Sequence, residues 1–166
     1  MPSSAPIKTR RATEADVPTV LGFIQALAEY EKLASAVTAN EEVLRKHLFG
    51  PNTAAEVLLA ESEGQTVGFA CYFQTFSTFV GRPGLWLEDI LVLPQHRGRG
   101  VGRILLREVA KIAFERNAGR LEWSVLDWNT PAIEFYKKVG AVPMSDWTTY
   151  RVTGEALRRL AVGVAG

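Results

Sequence analysis

A chain of 166 residues with 47% hydrophobic content suits one globular domain with a sizeable core. Its 19 basic and 18 acidic residues leave a formal net charge of +1, which excludes recognition of nucleic acid or an anionic membrane through overall charge, so any charge-based recognition must be local. No apolar run approaches the roughly 20 residues of a membrane span, and Met1-Pro-Ser-Ser-Ala-Pro-Ile-Lys8 lacks the apolar stretch of a secretion signal; a cytoplasmic location without membrane or nucleic-acid partners is expected.

In chain order, residues 7–10 read as a short strand, and the apolar spacing of Val17, Leu21, Ile24 and Leu27 predicts a helix. Thr38-x-x-Glu41 has capping-box form and predicts a second helix with Val43, Leu44 and Leu48 on its apolar face, stopped by Gly50-Pro51-Asn52. Residues 56–61 and 66–73 are expected as an antiparallel hairpin turning at Glu63-Gly64. A turn at Gly81-Arg-Pro-Gly84 leads into a strand over 85–92. Val101, Ile104, Leu105, Val109 and Ile112 recur at helical spacing until Asn117-Ala-Gly119. Residues 120–125 are the next strand. Asn129 or Thr130 caps a helix with Pro131 in its first turn and Ile133, Phe135, Tyr136 and Val139 following, until Gly140. A last strand over 147–152 and a terminal helix over 155–161 complete the order βααβββαβαβα. That order describes a mixed α/β (α+β) fold, a central sheet flanked by helices, in one domain over residues 1–166.

Cys71 is the only cysteine, and it lies in the apolar run 67–73, which suits a buried strand residue better than a nucleophile. His47 and His96 are isolated, so no metal is implied.

Residues 91–106 carry the most chemistry, because an apolar strand passes through a glycine-rich turn straight into an amphipathic helix. Gly98, Gly100 and Gly102 let the backbone approach a ligand closely, and the first-turn N–H groups of the helix lie at the positive end of its dipole. Arg97, Arg99 and Arg103 add charge to what is built as a phosphate cradle. Neither common nucleotide motif fits. A Walker loop needs Lys then Ser or Thr after its last glycine, where Arg103-Ile104 stand, and a dinucleotide fingerprint needs glycine at position 103.

The run Arg97-Gly-Arg-Gly-Val-Gly102 instead resembles the R-x-x-G-x-G loop of the GCN5-related N-acetyltransferase (GNAT) family, which binds acetyl-coenzyme A. The element order is also that of this family. Tyr30-Glu31, Phe76-x-x-Phe79-x-Gly81, Leu87-Glu-Asp89, Trp128-Asn-x-Pro131, Phe135-Tyr136 and Gly140-Ala141 are similar to the spermidine/spermine N-acetyltransferase branch. The resemblance implies transfer of an acetyl group to a small diamine, polyamine or thialysine-like amine, and a homodimer. After Gly140-Ala141 the chain is shorter than the acidic segment of polyamine acetyltransferases and keeps only Asp146, which puts a polyamine contact there in doubt.

An alkyl amine near pKa ~10 must lose a proton before it attacks, at a cost of about 4 kcal/mol at neutral pH. Glu88 interrupts an apolar strand just before the loop and is the candidate general base, directly or through a water, and the resemblance places it facing the substrate. A structural ion pair with Arg82 or Arg120 is the plainer alternative. Asp89 is expected on the opposite face if the strand is regular. The resemblance makes Tyr136 the acid that protonates the departing thiolate, against the alternative of packing beside Phe135. Backbone groups of Ile90, Leu91 and Val92 would meet the pantetheine arm, one N–H polarising the thioester carbonyl. The cofactor set is completed by Arg97, Gly98, Arg99, Gly100, Val101, Gly102, Arg103, Asn129 and Pro131. Tyr30, Glu31, Glu88, Glu122, Trp123, Ser124 and Asp146 are candidates on the amine side, where aromatics can also meet a cation through cation–π contact. A protein lysine or N-terminus as acceptor, and a silent acyl-CoA sensor, are the competing functions.

Overall fold

The computed structural model describes residues 5–163, so the first four residues of the segment judged free of a secretion signal lie outside the described residues. The chain forms two compact units, Met1–Leu126 and Asp127–Gly166.

The first unit is a five-stranded sheet in the order β1-β2-β3-β4-β5, built from β1 (Lys8–Arg11), β2 (Glu56–Ser62), β3 (Gln65–Ser77), β4 (Arg82–Val92) and β5 (Leu121–Trp123). The first four strands pair antiparallel. Strand β5 pairs parallel to β4, and such a pair needs a crossover, here α3 (Val101–Glu115). Helices α1 (Val17–Tyr30) and α2 (Glu41–Phe49) precede β2. Val20 and Phe23 of α1 pack with Val57, Leu59, Phe69 and Leu91 of the sheet, and the Phe23 and Phe69 rings stack at 5.2 Å.

Helix α3 buries Val101, Leu105, Leu106, Val109 and Ala113, and it is seated at both ends. At its start, a Cβ on Gly68 of β3 would lie 3.1 Å from Leu105 Cδ1 and 3.2 Å from Val101 Cγ1, so the missing side chain is what lets the first turns come down onto the strand. At its end, Arg116 donates to both carboxylate oxygens of Glu56, at 2.7 and 2.9 Å, and lies over the Tyr72 ring. That fork holds the Glu56 carboxyl below its usual range.

Strand β1 is shifted by one residue from the expected 7–10 and β3 runs on to Ser77 rather than ending at 73, and three further boundaries differ from the sequence expectations. The α2 N-cap is Asn40 rather than Thr38: its side chain, one residue before the helix, accepts from Val43 N–H at 2.9 Å. The turn after β3 lies at residues 78–81, with Gly81 at φ 67°, and Pro83 and Gly84 belong to β4 opposite Phe76 and Thr75. Strand β5 stops at Trp123.

The second unit holds α4 (Thr130–Lys138) and α5 (Gly154–Val162). Asn129 is the α4 N-cap, accepting from Ala132 N–H at 3.4 Å, with Pro131 in the first turn. The expected strand over 147–152 is not formed. A strand exists through a ladder with a neighbour, and the regular elements described in this unit are helices; Trp147 and Tyr150 stand exposed.

Gly68→Val should force α3 away from β3 and destabilise the protein by about 1–3 kcal/mol, read as a lowered urea midpoint. An unchanged midpoint would show that α3 yields freely there.

Candidate active site

Strand β4 is the axis of the site. Cys71 of β3 faces Asp89 and Tyr72 faces Leu87, which leaves Glu88 as an extra residue with no opposite number: a β-bulge. On its other side β4 pairs with β5 only through Leu85, Trp86 and Leu87. From Glu88 to Val92 the β5 side of β4 therefore has no strand neighbour among the described residues, and alternate backbone N–H and C=O groups of Ile90, Leu91 and Val92 are left for another extended group. The Leu91 side chain is buried, whereas those of Ile90 and Val92 are half-buried.

Beyond Val92 the chain makes a short helical turn, Pro94–His96, and reaches α3 through Gly98 and Gly100, at φ 76° and 80°. Nothing lies within 4 Å of where a Cβ would stand on either glycine, so the backbone is open to an approaching ligand. Gly100 is the N-cap of α3 and has no side chain to occupy the first-turn N–H groups. Acetyl-coenzyme A fits these residues: an anion cradle follows directly on an open strand edge.

The arginines of the loop have different surroundings. Arg97 donates from Nε to the Val92 carbonyl at 3.0 Å, and its guanidinium lies 5.0 Å from the Tyr30 ring centre. Arg99 contacts His96 Nδ1 at 3.1 Å and Ser62 Oγ at 3.4 Å. Arg103 is exposed on the first turn of α3, whose Val101 is fully buried.

Carboxylates gather beside β4. Glu88 is exposed and accepts a hydrogen bond from Trp86 Nε1 at 2.9 Å. Burial, then the charges of Glu88 and Glu31, push the Asp89 carboxyl up to about 6. Burial also raises Glu31, which directly follows α1. Cys71 is driven up to about 12 by burial and by Asp89 and Glu88, so the thiol remains protonated at neutral pH, and the side chain is half-buried against the core rather than within it. The bulge breaks the regular alternation on which the opposite facing of Asp89 depended. A single inserted residue shifts the alternation by one, but apolar side chains at both parities of β4 hide that shift, and the available signal is the pair of adjacent acids inside the strand.

Glu122 does not join this group: its Oε2 is 2.7 Å from Arg120 Nε, which also occupies one of the arginines considered for Glu88. Trp123 ends β5 half-buried and Ser124 is exposed just after it. In the second unit Tyr136 lies on α4 with its ring 5.5 Å from that of Phe135, Asn129 and Pro131 open the helix, and Asp146 is exposed in a turn. No cluster of metal-ligating side chains occurs among the described residues.

The acetyltransferase (GNAT) family model matches residues 19–141. This chain belongs to the GNAT family. As a GNAT protein it is an N-acetyltransferase, and the family takes its acetyl group from acetyl-coenzyme A. It is 39% identical to a thialysine N-epsilon-acetyltransferase of Sus scrofa, over 95% of this chain and 98% of that one. It is 29% identical to an L-ornithine N5-acetyltransferase of Arabidopsis thaliana, over 92% and 87% of the two chains. Among solved structures, an integron cassette protein from the mobile metagenome of V. cholerae superposes with a TM-score of 0.78 at 26% identity, covering 93% of this chain and 97% of that one. No helix of the described residues is long and apolar enough to cross a membrane.

Asp89 holds its proton more tightly folded than unfolded, so its ionisation costs stability that is absent below about pH 4 and is fully felt once the pH has risen through about 6. Asp89→Asn should therefore gain on the parent by roughly 2–3 kcal/mol between pH 4 and pH 8, measured by urea unfolding at both. A gap between the two proteins that does not change with pH would show that Asp89 ionises freely.

Proposed function

We propose that this enzyme acetylates the primary amine of a small substrate that carries a second charged group, either an α-amino acid with a side-chain amine, of the thialysine kind, or a short diamine. The observation that supports it is the juxtaposition within one unit of an open anion cradle and a group of carboxylates: Asp89 and Glu88 stand on the same strand that delivers the Gly98–Gly100 loop, with Glu31 coupled to Asp89. The relatives point the same way, since thialysine and ornithine are both amino acids with a side-chain amine.

In this reading the residues from Arg97 to Arg103 receive the pyrophosphate, and the backbone of Ile90, Leu91 and Val92 receives the pantetheine arm, with Asn129 and Pro131 as further cofactor contacts. Acetyl-coenzyme A supplies the acetyl thioester. Glu88 takes the proton of the attacking amine, directly or through a water, and Asp89, with a carboxyl that titrates near neutrality, tunes that step. One N–H of the β4 edge polarises the carbonyl. Tyr136 gives its proton to the departing sulfur. Glu31, Tyr30, Trp123 and Ser124 meet the rest of the amine substrate, with Asp146 and Glu122 as outer charges. A single working domain, a homodimer and a cytoplasmic site of action belong to the same proposal.

With acetyl-coenzyme A fixed, ornithine and thialysine should exceed a monoamine of equal length by about 10- to 150-fold in kcat/KM, the worth of one charge-assisted hydrogen bond kept in the transition state. Coenzyme A release and product masses across these amines, putrescine, spermidine and a lysine-containing peptide would check it. A preference for the peptide would replace this reading with protein acetylation, and no turnover with any amine would favour an acyl-CoA sensor.

Glu88→Gln should suppress kcat/KM near neutral pH and regain part of it in alkali, where more amine is already deprotonated; a pH–rate profile parallel to that of the parent would remove Glu88 from the base role.

A further inference from the structure

The loop carries arginines at 97, 99 and 103, and what they touch separates them. Arg97 and Arg103 are exposed, whereas Arg99 is half-buried and engaged by the protein on both arms of its guanidinium. One arm, Nη1, lies 3.1 Å from His96 Nδ1 in the turn before the loop. The other, Nη2, lies 3.4 Å from Ser62 Oγ, on the last residue of β2, which is only 3% exposed. Arginine has donors only, so both neighbours act as acceptors here, and His96 must present an unprotonated Nδ1.

Arg99 stands between Gly98 and Gly100, both in the left-handed region with open space where a Cβ would be. Glycines are the residues with most conformational freedom to lose, so a loop built on them needs an outside restraint to keep one shape. The contact to Ser62 is such a restraint, since it joins the loop to a strand 37 residues away in sequence.

We propose that Arg99 is a positioning residue, held by His96 and Ser62 so that the Gly98–Gly100 backbone keeps the form that receives the pyrophosphate. The charge offered to the phosphates comes from Arg97, Arg103 and the uncapped N–H groups of α3. This inference rests on the acetyl-coenzyme A reading of the loop.

Calorimetry with coenzyme A, together with KM values for acetyl-coenzyme A and for the amine, tests it on Ser62→Ala, His96→Ala, Arg99→Ala, Arg99→Lys and the Ser62→Ala/Arg99→Ala double variant. Arg99→Ala should weaken coenzyme A by about tenfold, the worth of hydrogen bonds to a charged group, and raise KM for acetyl-coenzyme A without raising that for the amine. Arg99→Lys should not rescue, because one ammonium cannot span both arms. Ser62→Ala and His96→Ala should each reproduce part of the loss, and Ser62→Ala should add nothing once Arg99 is gone. Silent Ser62→Ala and His96→Ala variants, beside an Arg99→Ala loss that Arg99→Lys restores, would overturn the inference and make Arg99 a phosphate contact. A parent protein that takes up no coenzyme A would overturn the underlying reading of the loop, and this inference with it.

Discussion

At Glu88 the ladders on both sides of β4 lose their regularity. Toward β3 the register slips by one residue, and toward β5 the pairing ends one residue earlier, at Leu87. The acids and the open strand edge used in the proposed function both trace to this local change of pairing. A β4 fully laddered on both sides would have had no backbone groups to offer a ligand. A strictly alternating β4 would have separated Glu88 and Asp89 onto opposite faces. The bulge gives the strand an open edge on one side and a pair of acids at the same level.

Such an edge is useful only if the loop that follows arrives in a fixed place, and α3 provides that. Its apolar stripe packs on the sheet, the bare Cα of Gly68 lets it come close, and Arg116 fastens its far end to Glu56. The glycines that leave the loop open to phosphate also leave it soft, and side chains around it supply the stiffness. Arg97 ties back to the Val92 carbonyl and covers Tyr30, the last residue of α1, so the loop and the end of that helix share a contact.

The electrostatic cost sits on the opposite side of β4. Burial raises the Asp89 carboxyl toward neutrality, and the charges of Glu88 and Glu31 add to the rise. In the proposed function, an ammonium group beside these acids would supply a countercharge and favour their ionised form. With a net charge of only +1 on the whole chain, any attraction for a cation has to come from such local charges rather than from a long-range field.

The helices and strands of the first unit were legible because hydrophobic spacing is a local property: Val101, Leu105 and Val109 had to face a core whatever lay opposite. The strand–glycine loop–helix unit was legible for the same reason, since its chemistry lies within consecutive residues. Residues 147–152 had strand composition but formed no strand, because a strand also needs a neighbour, and composition carries no information about who stands beside it. The cap at Asn40 rather than Thr38 turned on which of two suitable side chains met a helical N–H. The sequence by itself determined the helices and strands of the first unit and the strand–glycine loop–helix order with its arginines. Tertiary structure alone decided that Asp89 joins Glu88 and Glu31, that Glu122 is held by Arg120, and that Arg99 turns to Ser62 and His96, because register, a one-residue bulge and contacts between distant segments are properties of pairing rather than of period.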